Sequence, residues 1–146
     1  MSEILFKAKR TDNGEWVEGN LILSDDAEEG YEAIIIPRVG SNMFTKHEGL
    51  KEVTCDLGFE RWYKVDKATI CRYTGLTDKS GNKIWENDIL KCGGNLVVTW
   101  KENLASFCLS KKGWMYQHFF GEAVDAKDTE VIGNIFDNPE LLEVAE

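Results

Sequence analysis

The stretch Tyr73-Thr-Gly75-Leu-Thr-Asp78-Lys-Ser-Gly81-Asn-Lys-Ile-Trp85-Glu86-Asn-Asp88-Ile-Leu90 decides the fold. It reads as a strand, a polar glycine-bearing turn and a second strand. Asp78 and Gly81 supply the turn chemistry: a short side chain that bonds its own backbone, and a residue that tolerates positive φ. Asn87-Asp88 makes a second tight join before Ile89-Leu90-Lys91-Cys92. Gly93-Gly94-Asn95 is a third turn. Leu96–Trp100, Ala105–Leu109, Trp114–Phe120 and Thr129–Ile135 follow as further strands at short spacing. Closely spaced strands between Gly, Asn and Asp turns argue for meandering antiparallel sheet, here expected to close into a small barrel.

Upstream, Ile4, Phe6 and Ala8 alternate with Leu5, Lys7 and Lys9, a strand with one apolar face. Asp12-Asn13-Gly14 is a hairpin turn, and Glu15–Leu23 returns as a second strand in which Gly19 suggests a bulge. Tyr31–Ile36 is a buried type of strand stopped by Pro37. Arg38–Glu60 has weak periodicity and reads as a long loop with one short irregular element. Phe59–Val65 and Ala68–Thr74 resume the β pattern. The chain ends in Asn138-Pro139-Glu140-Leu-Leu142, which reads as a short helix. Asn138 would cap it, Pro139 suits its first position, and Glu140 complements its dipole.

The expected class is therefore mainly β (β-rich α+β). A β-rich subdomain occupies residues 1–69. A small antiparallel barrel with a short C-terminal helix occupies 70–146.

The 146 residues carry 17 Lys plus Arg against 26 Asp plus Glu, a net charge of −9. That field repels phosphate and anionic membranes, so nucleic acid is not the expected partner. Lys7, Lys9 and Arg10 form one candidate basic patch, read as a solvated strand face, and no basic stripe runs between aromatics in the sequence. Cys55, Cys71, Cys92 and Cys108 are widely spaced with no C-x-x-C pair, which excludes a zinc knuckle or a dithiol motif. Asp25, Asp26, Glu28 and Glu29 lack EF-hand spacing. No run is long enough to cross a bilayer or to serve as a signal core. The chain is expected in a reducing cytoplasm, with no cofactor and no membrane association.

Reactive groups are sparse. His47 and His118 are the two histidines. Cys108 and His118 lie on neighbouring predicted strands, a nucleophile pair on paper. Glu86 and Asp88, one residue apart, would share a strand face as a cation site or an acid–base pair; the simpler reading is a turn-end pair that accepts backbone hydrogen bonds. No nucleophile elbow, zinc-helix, Walker or dinucleotide motif is present.

Three segments in the right order resemble the YopX-like family of phage and prophage proteins. Tyr73–Leu90 is similar to the family's Y-T-G-L-x-D-x-x-G-x-x-I-[YF]-E-G-D-I. Arg10-Thr-Asp-Asn-Gly14-Glu-Trp-Val-Glu-Gly-Asn-Leu21 is similar to R-x-x-x-G-x-W-x-x-G-x-L. Val131-Ile-Gly-Asn-Ile-Phe-Asp-Asn138-Pro139-Glu-Leu-Leu142 is similar to V-I-G-N-I-[YF]-[ED]-N-P-E-L-L. One departure matters: Asn87 stands where the family usually has glycine. The resemblance implies a β-rich fold with an SH3-like barrel in the C-terminal part and a phage or prophage origin. It implies no catalytic set.

The expected function is a non-enzymatic protein-binding or assembly module, contacting copies of itself or another protein. Trp62, Trp85 and Trp114 are the candidate contact aromatics. The alternatives are a nucleic-acid-binding barrel, an acidic DNA mimic acting on a host factor, and a small hydrolase or metal-dependent enzyme using Glu86, Asp88 or His118.

Overall fold

A computed structural model describes residues 3–48, 54–111 and 118–142, and only the backbone of 44–48 and 54–57. The chain is mainly β and divides into two compact units, Leu5–Ile70 and Cys71–Glu146 with Met1–Ile4. Among the described residues no helix is long and apolar enough to cross a membrane.

In the Leu5–Ile70 unit, β1 (Phe6–Lys9) and β2 (Trp16–Leu23) form the expected hairpin, pairing Ala8 with Val17 and Lys9 with Trp16. Gly14 holds its turn at φ +73°, and the Asn13 side chain accepts the Glu15 amide. β2 pairs with β3 (Ala33–Ile36), and β3 with β6 (Tyr63–Lys64). The ladder then returns on itself. Arg10 bridges Val65, the Thr11 amide donates to the Lys64 carbonyl, and the Asp66 amide to that of Lys9. Ala8, Ala33, Ile35 and Val65 form the enclosed core, with Val17, Leu21 and Ile70 packed against them. Removing the Ile35 side chain beyond Cβ should cost roughly 2–5 kcal/mol, because the site is fully enclosed.

Two expectations change here. Gly19 marks no bulge: it pairs in regular register with Phe6, and an added Cβ would collide with the Ile36 carbonyl. Arg38–Glu60 is not a loop. It contains β4 (Met43–Glu48) and β5 (Thr54–Phe59), which form a two-stranded sheet of their own. The base of this ribbon is clamped by polar bonds: the Glu60 amide donates to the Asn42 carbonyl, and the Ser41 hydroxyl accepts the Arg61 amide. A 3-10 turn, Lys67–Thr69, capped by Asp66, ends the unit.

In the second unit, β7 (Cys71–Thr77) pairs with β8 (Lys83–Trp85) across a bulge around Gly75. β9 (Asp88–Lys91), β10 (Asn95–Lys101), β11 (Ser106–Ser110), β12 (His118–Phe119) and β13 (Glu130–Asn134) make a ladder in the order β12-β11-β10-β9-β13. Ile84, Leu90, Leu96, Val98, Leu109, Phe120 and Ala126 form its core. Among the described residues this ladder is open. The expected barrel over 70–136 is not confirmed: β12 and β13 stand at the two ends of the ladder.

Two finer boundaries also differ. Of the expected strand Trp114–Phe120, β12 is what falls within the described residues; Trp114 lies outside them. Pro139–Leu142 is a single 3-10 turn rather than an α-helix. Four residues give too few i→i−4 bonds to offset the cost of helix nucleation.

Candidate functional site

The Tyr73–Leu90 segment is a set of backbone locks. Thr74 donates its hydroxyl to the Ile84 carbonyl at 2.7 Å and accepts the Leu76 amide. Gly75 and Gly81 adopt φ of +83° and +84°. Asp78 is wholly buried. Its Oδ1 accepts the amides of Ser80 and Asn82, and its Oδ2 accepts the Asn82 side chain and the Val131 amide at 3.0 Å. Burial pushes this carboxyl's pKa up. The hydrogen bonds from Val131, Asn82 and Ser80 together outweigh it and hold the group below the usual carboxylate range. Asp78 thus rigidifies its own turn and ties that turn to β13.

Glu86 and Asp88 are each spent on backbone. Glu86 Oε1 accepts the Arg72 amide at 3.2 Å, and Asp88 Oδ2 accepts the Trp85 amide at 2.8 Å. Between them Asn87 takes φ +72°, donates its amide to the Val98 carbonyl and receives that of Ile135. Asn replaces glycine here because its side chain tolerates the left-handed region.

The third segment works differently from its sequence reading. Asn138 does not cap the following turn. Its Oδ1 reaches back to the Asn134 amide, and Asn134 Oδ1 accepts the Phe136 and Asp137 amides. Asn134 was missed, although an Asn preceding a turn by two residues is an Asx signal. Gly133 is required because a Cβ there would lie 2.5 Å from Asn138 Oδ1.

Among the described residues the candidate Cys108–His118 pair does not meet. Cys108 pairs with Phe119 and His118 with Leu109, so period-two geometry places Cys108 and His118 on opposite faces. The side chain of His47 lies outside the described residues. Among the described residues no group of three His, Cys, Asp or Glu side chains is placed to hold a metal ion.

The aromatics separate cleanly. Trp85 is 5% exposed with its ring 5.4 Å from that of Tyr73, so it belongs to the interior and not to a contact surface. Trp100 packs edge-on against Phe107 beneath the Arg72 guanidinium. Trp62 is 44% exposed, and its ring lies 6.2 Å from that of Tyr31, itself 43% exposed. Beside them is a recess of about 200 Å³ lined by Thr11, Asp12, Trp62, Tyr63 and Lys64. Lys64 stands over Tyr31, and Arg10 over Tyr63 at 4.2 Å. Arg10 also binds Asp12 through two nitrogens, at 2.9 and 2.6 Å. Sequence shows neither arrangement, because residues 10–12, 31 and 62–64 meet only when the ladder closes.

The family model described as YopX protein matches residues 5–143. The crystal structure of protein EF1440 from Enterococcus faecalis is similar over 98% of this chain and 100% of that one, with 25% identity and a TM-score of 0.58. No curated protein matches the chain.

Proposed function

Because the chain belongs to the YopX protein family, whose signature residues here build turns and strand joins, we propose that it works by contact, as a non-enzymatic protein-binding or assembly module of phage or prophage origin. It acts in the bacterial cytoplasm, first of all on copies of itself. The observation that carries this reading is the Tyr31–Trp62 pair: two rings tilted at 42° to each other, each more than two-fifths exposed, with Trp62 lining a recess. Large rings left in water beside a pocket have the character of interface anchors, which bring apolar area at low entropic cost. Leu23, at 52% exposed, and Met43, at 67%, add apolar surface on the same unit. Asp78, Asp88 and Glu86 support the reading indirectly, since each is committed to holding backbone.

Light scattering at micromolar concentration tests the proposal. A self-associated species is expected, and Trp62→Ala should weaken it roughly 30-fold, the effect of losing one anchor worth about 2 kcal/mol. A strict monomer, or an assembly indifferent to Trp62→Ala, would remove the reading.

A further inference from the structure

The hairpin partner of β2 runs out halfway along it. β1 pairs with Trp16–Gly19 and goes no further, while β3 pairs with Asn20–Leu23. The second half of β2 therefore has β3 on one side and, among the described residues, no paired strand on the other.

Hydrogen-bond parity fixes which groups are left over. The Arg10 amide donates to the Glu15 carbonyl, so Glu15, Val17 and Gly19 turn their backbone groups toward β1. The Ser24 amide donates to the Glu32 carbonyl at 3.0 Å, so Asn20, Ile22 and Ser24 turn theirs toward β3. Backbone groups alternate sides along an antiparallel strand, which leaves the amides and carbonyls of Leu21 and Leu23 aimed off the open edge.

Sheet edges are usually blunted by a charge, a proline or a bulge. This one, Asn20-Leu21-Ile22-Leu23-Ser24, is uncharged, lacks proline and keeps a regular register with β3. Ile22 is 44% exposed and Leu23 52%. The segment is also a palindrome of character: polar, three branched aliphatics, polar, centred on Ile22.

We propose that this edge pairs with the same edge of a second copy, antiparallel about a two-fold axis through Ile22, joining two β3–β2 sheets into one. It names a surface for the self-association proposed above and rests on that reading. About this axis Leu21 of each copy stands opposite Leu23 of the other. Both turn their backbone outward, so each such pair exchanges two hydrogen bonds, and every open group of both edges is satisfied. Ile22 faces itself in a non-hydrogen-bonded pair, where side chains approach closest. Asn20 faces Ser24, and no charge is set against another. Past Ser24 the chain turns away at Asp25-Asp26, before Glu18 would meet Asp26. The palindrome favours a copy over a foreign strand, because each position then meets a residue of its own polarity.

Light scattering and hydrogen exchange on the full chain test it, at about 0.15 M salt to screen the repulsion between two chains of −9. Ile22→Lys sets like charges face to face at the axis and should weaken self-association at least about tenfold, as should Ile22→Glu. An equal mixture of the two variants should recover association to within about threefold of wild type, since each Lys then faces a Glu. Position 22 is exposed, and circular dichroism checks that both variants fold. Wild type gives a readout that needs no variant: the Leu21 and Leu23 amides should gain protection as concentration rises, while the Ile22 amide, turned toward β3, should not. The proposal is overturned by unchanged exchange at Leu21 and Leu23 where the dimer forms, by association that survives Ile22→Lys, or by a Lys–Glu mixture that stays monomeric. Protection of those two amides already complete in the monomer overturns it too, since the chain then covers its own edge. Association lost in Trp62→Ala but kept in Ile22→Lys sinks this edge and leaves the contact reading standing, whereas a strict monomer sinks both.

Discussion

Removing the Asp78 carboxylate should cost far more than its place in a surface turn suggests. In Asp78→Ala four donated hydrogen bonds lose their acceptor: those from the Ser80, Asn82 and Val131 amides and from the Asn82 side chain. Hydrogen bonds to a charged group contribute about 1.5–3 kcal/mol each, but donors that regain water recover most of that. Ser80 and Asn82 are exposed and can be rehydrated, whereas Val131 is half-buried and is orphaned in part. The expected loss is therefore about 3 kcal/mol rather than the sum. Urea unfolding followed by tryptophan fluorescence measures it. Asp78→Asn isolates the charge, and the sign of the pH effect is fixed. The folded carboxyl titrates below its ordinary 3.8, so between the folded and unfolded values the unfolded chain binds more protons. Its contribution is fully present above the unfolded value and disappears as pH falls through the folded one. The stability gap between wild type and Asp78→Asn should accordingly be constant near neutrality and shrink below about pH 4. An Asp78→Ala loss under about 0.5 kcal/mol, or a gap that stays flat down to pH 2.5, would refute the lock.

Four further outcomes are expected. Asn134→Ala should destabilise by about 1 kcal/mol through loss of the Phe136 and Asp137 amide acceptor, read from the urea midpoint. Gly133→Ala should cost about 1–3 kcal/mol by forcing Asn138 away, with matching loss of hydrogen-exchange protection at the Asn134 amide. At the left-handed position 87, Asn87→Gly should stay within about 0.5 kcal/mol of wild type and Asn87→Val should lose about 1–2 kcal/mol, so a thermal scan finding the two equal would discount backbone strain there. Gly19→Ala should lower expression of folded protein or cost at least about 2 kcal/mol, since the clash is with a backbone carbonyl that cannot turn aside.

What was legible in the sequence was whatever a residue does to its own backbone. Asp78, Gly81, Asn87 and Asp88 announce turns because their chemistry acts within a few positions. The hairpin at Gly14 was legible for the same reason. The β4–β5 ribbon was not, since adjacent Met43-Phe44 and the mixed polar run through Asp56 blur the period-two alternation that marks a half-buried strand. Ladder closure in the Leu5–Ile70 unit joins Lys9–Thr11 to Lys64–Asp66, with Arg10 and Val65 55 positions apart, and nothing local signals it. Sequence distance also hid the recess: Trp62 was named alone, without Tyr31 or the lining from residues 11 and 12. Asn138 was singled out for the wrong partner, because capping statistics describe the turn that follows and not the amide four residues behind.

The clamp of Ser41 and Asn42 against Glu60 and Arg61 has an engineering meaning. It pins the two stems where the ribbon leaves the body, so the register of the surrounding strands is decided before the excursion begins. The β4–β5 ribbon is a two-stranded sheet of its own on those pinned stems, so a foreign peptide grafted in its place is expected to leave the scaffold beneath in shape.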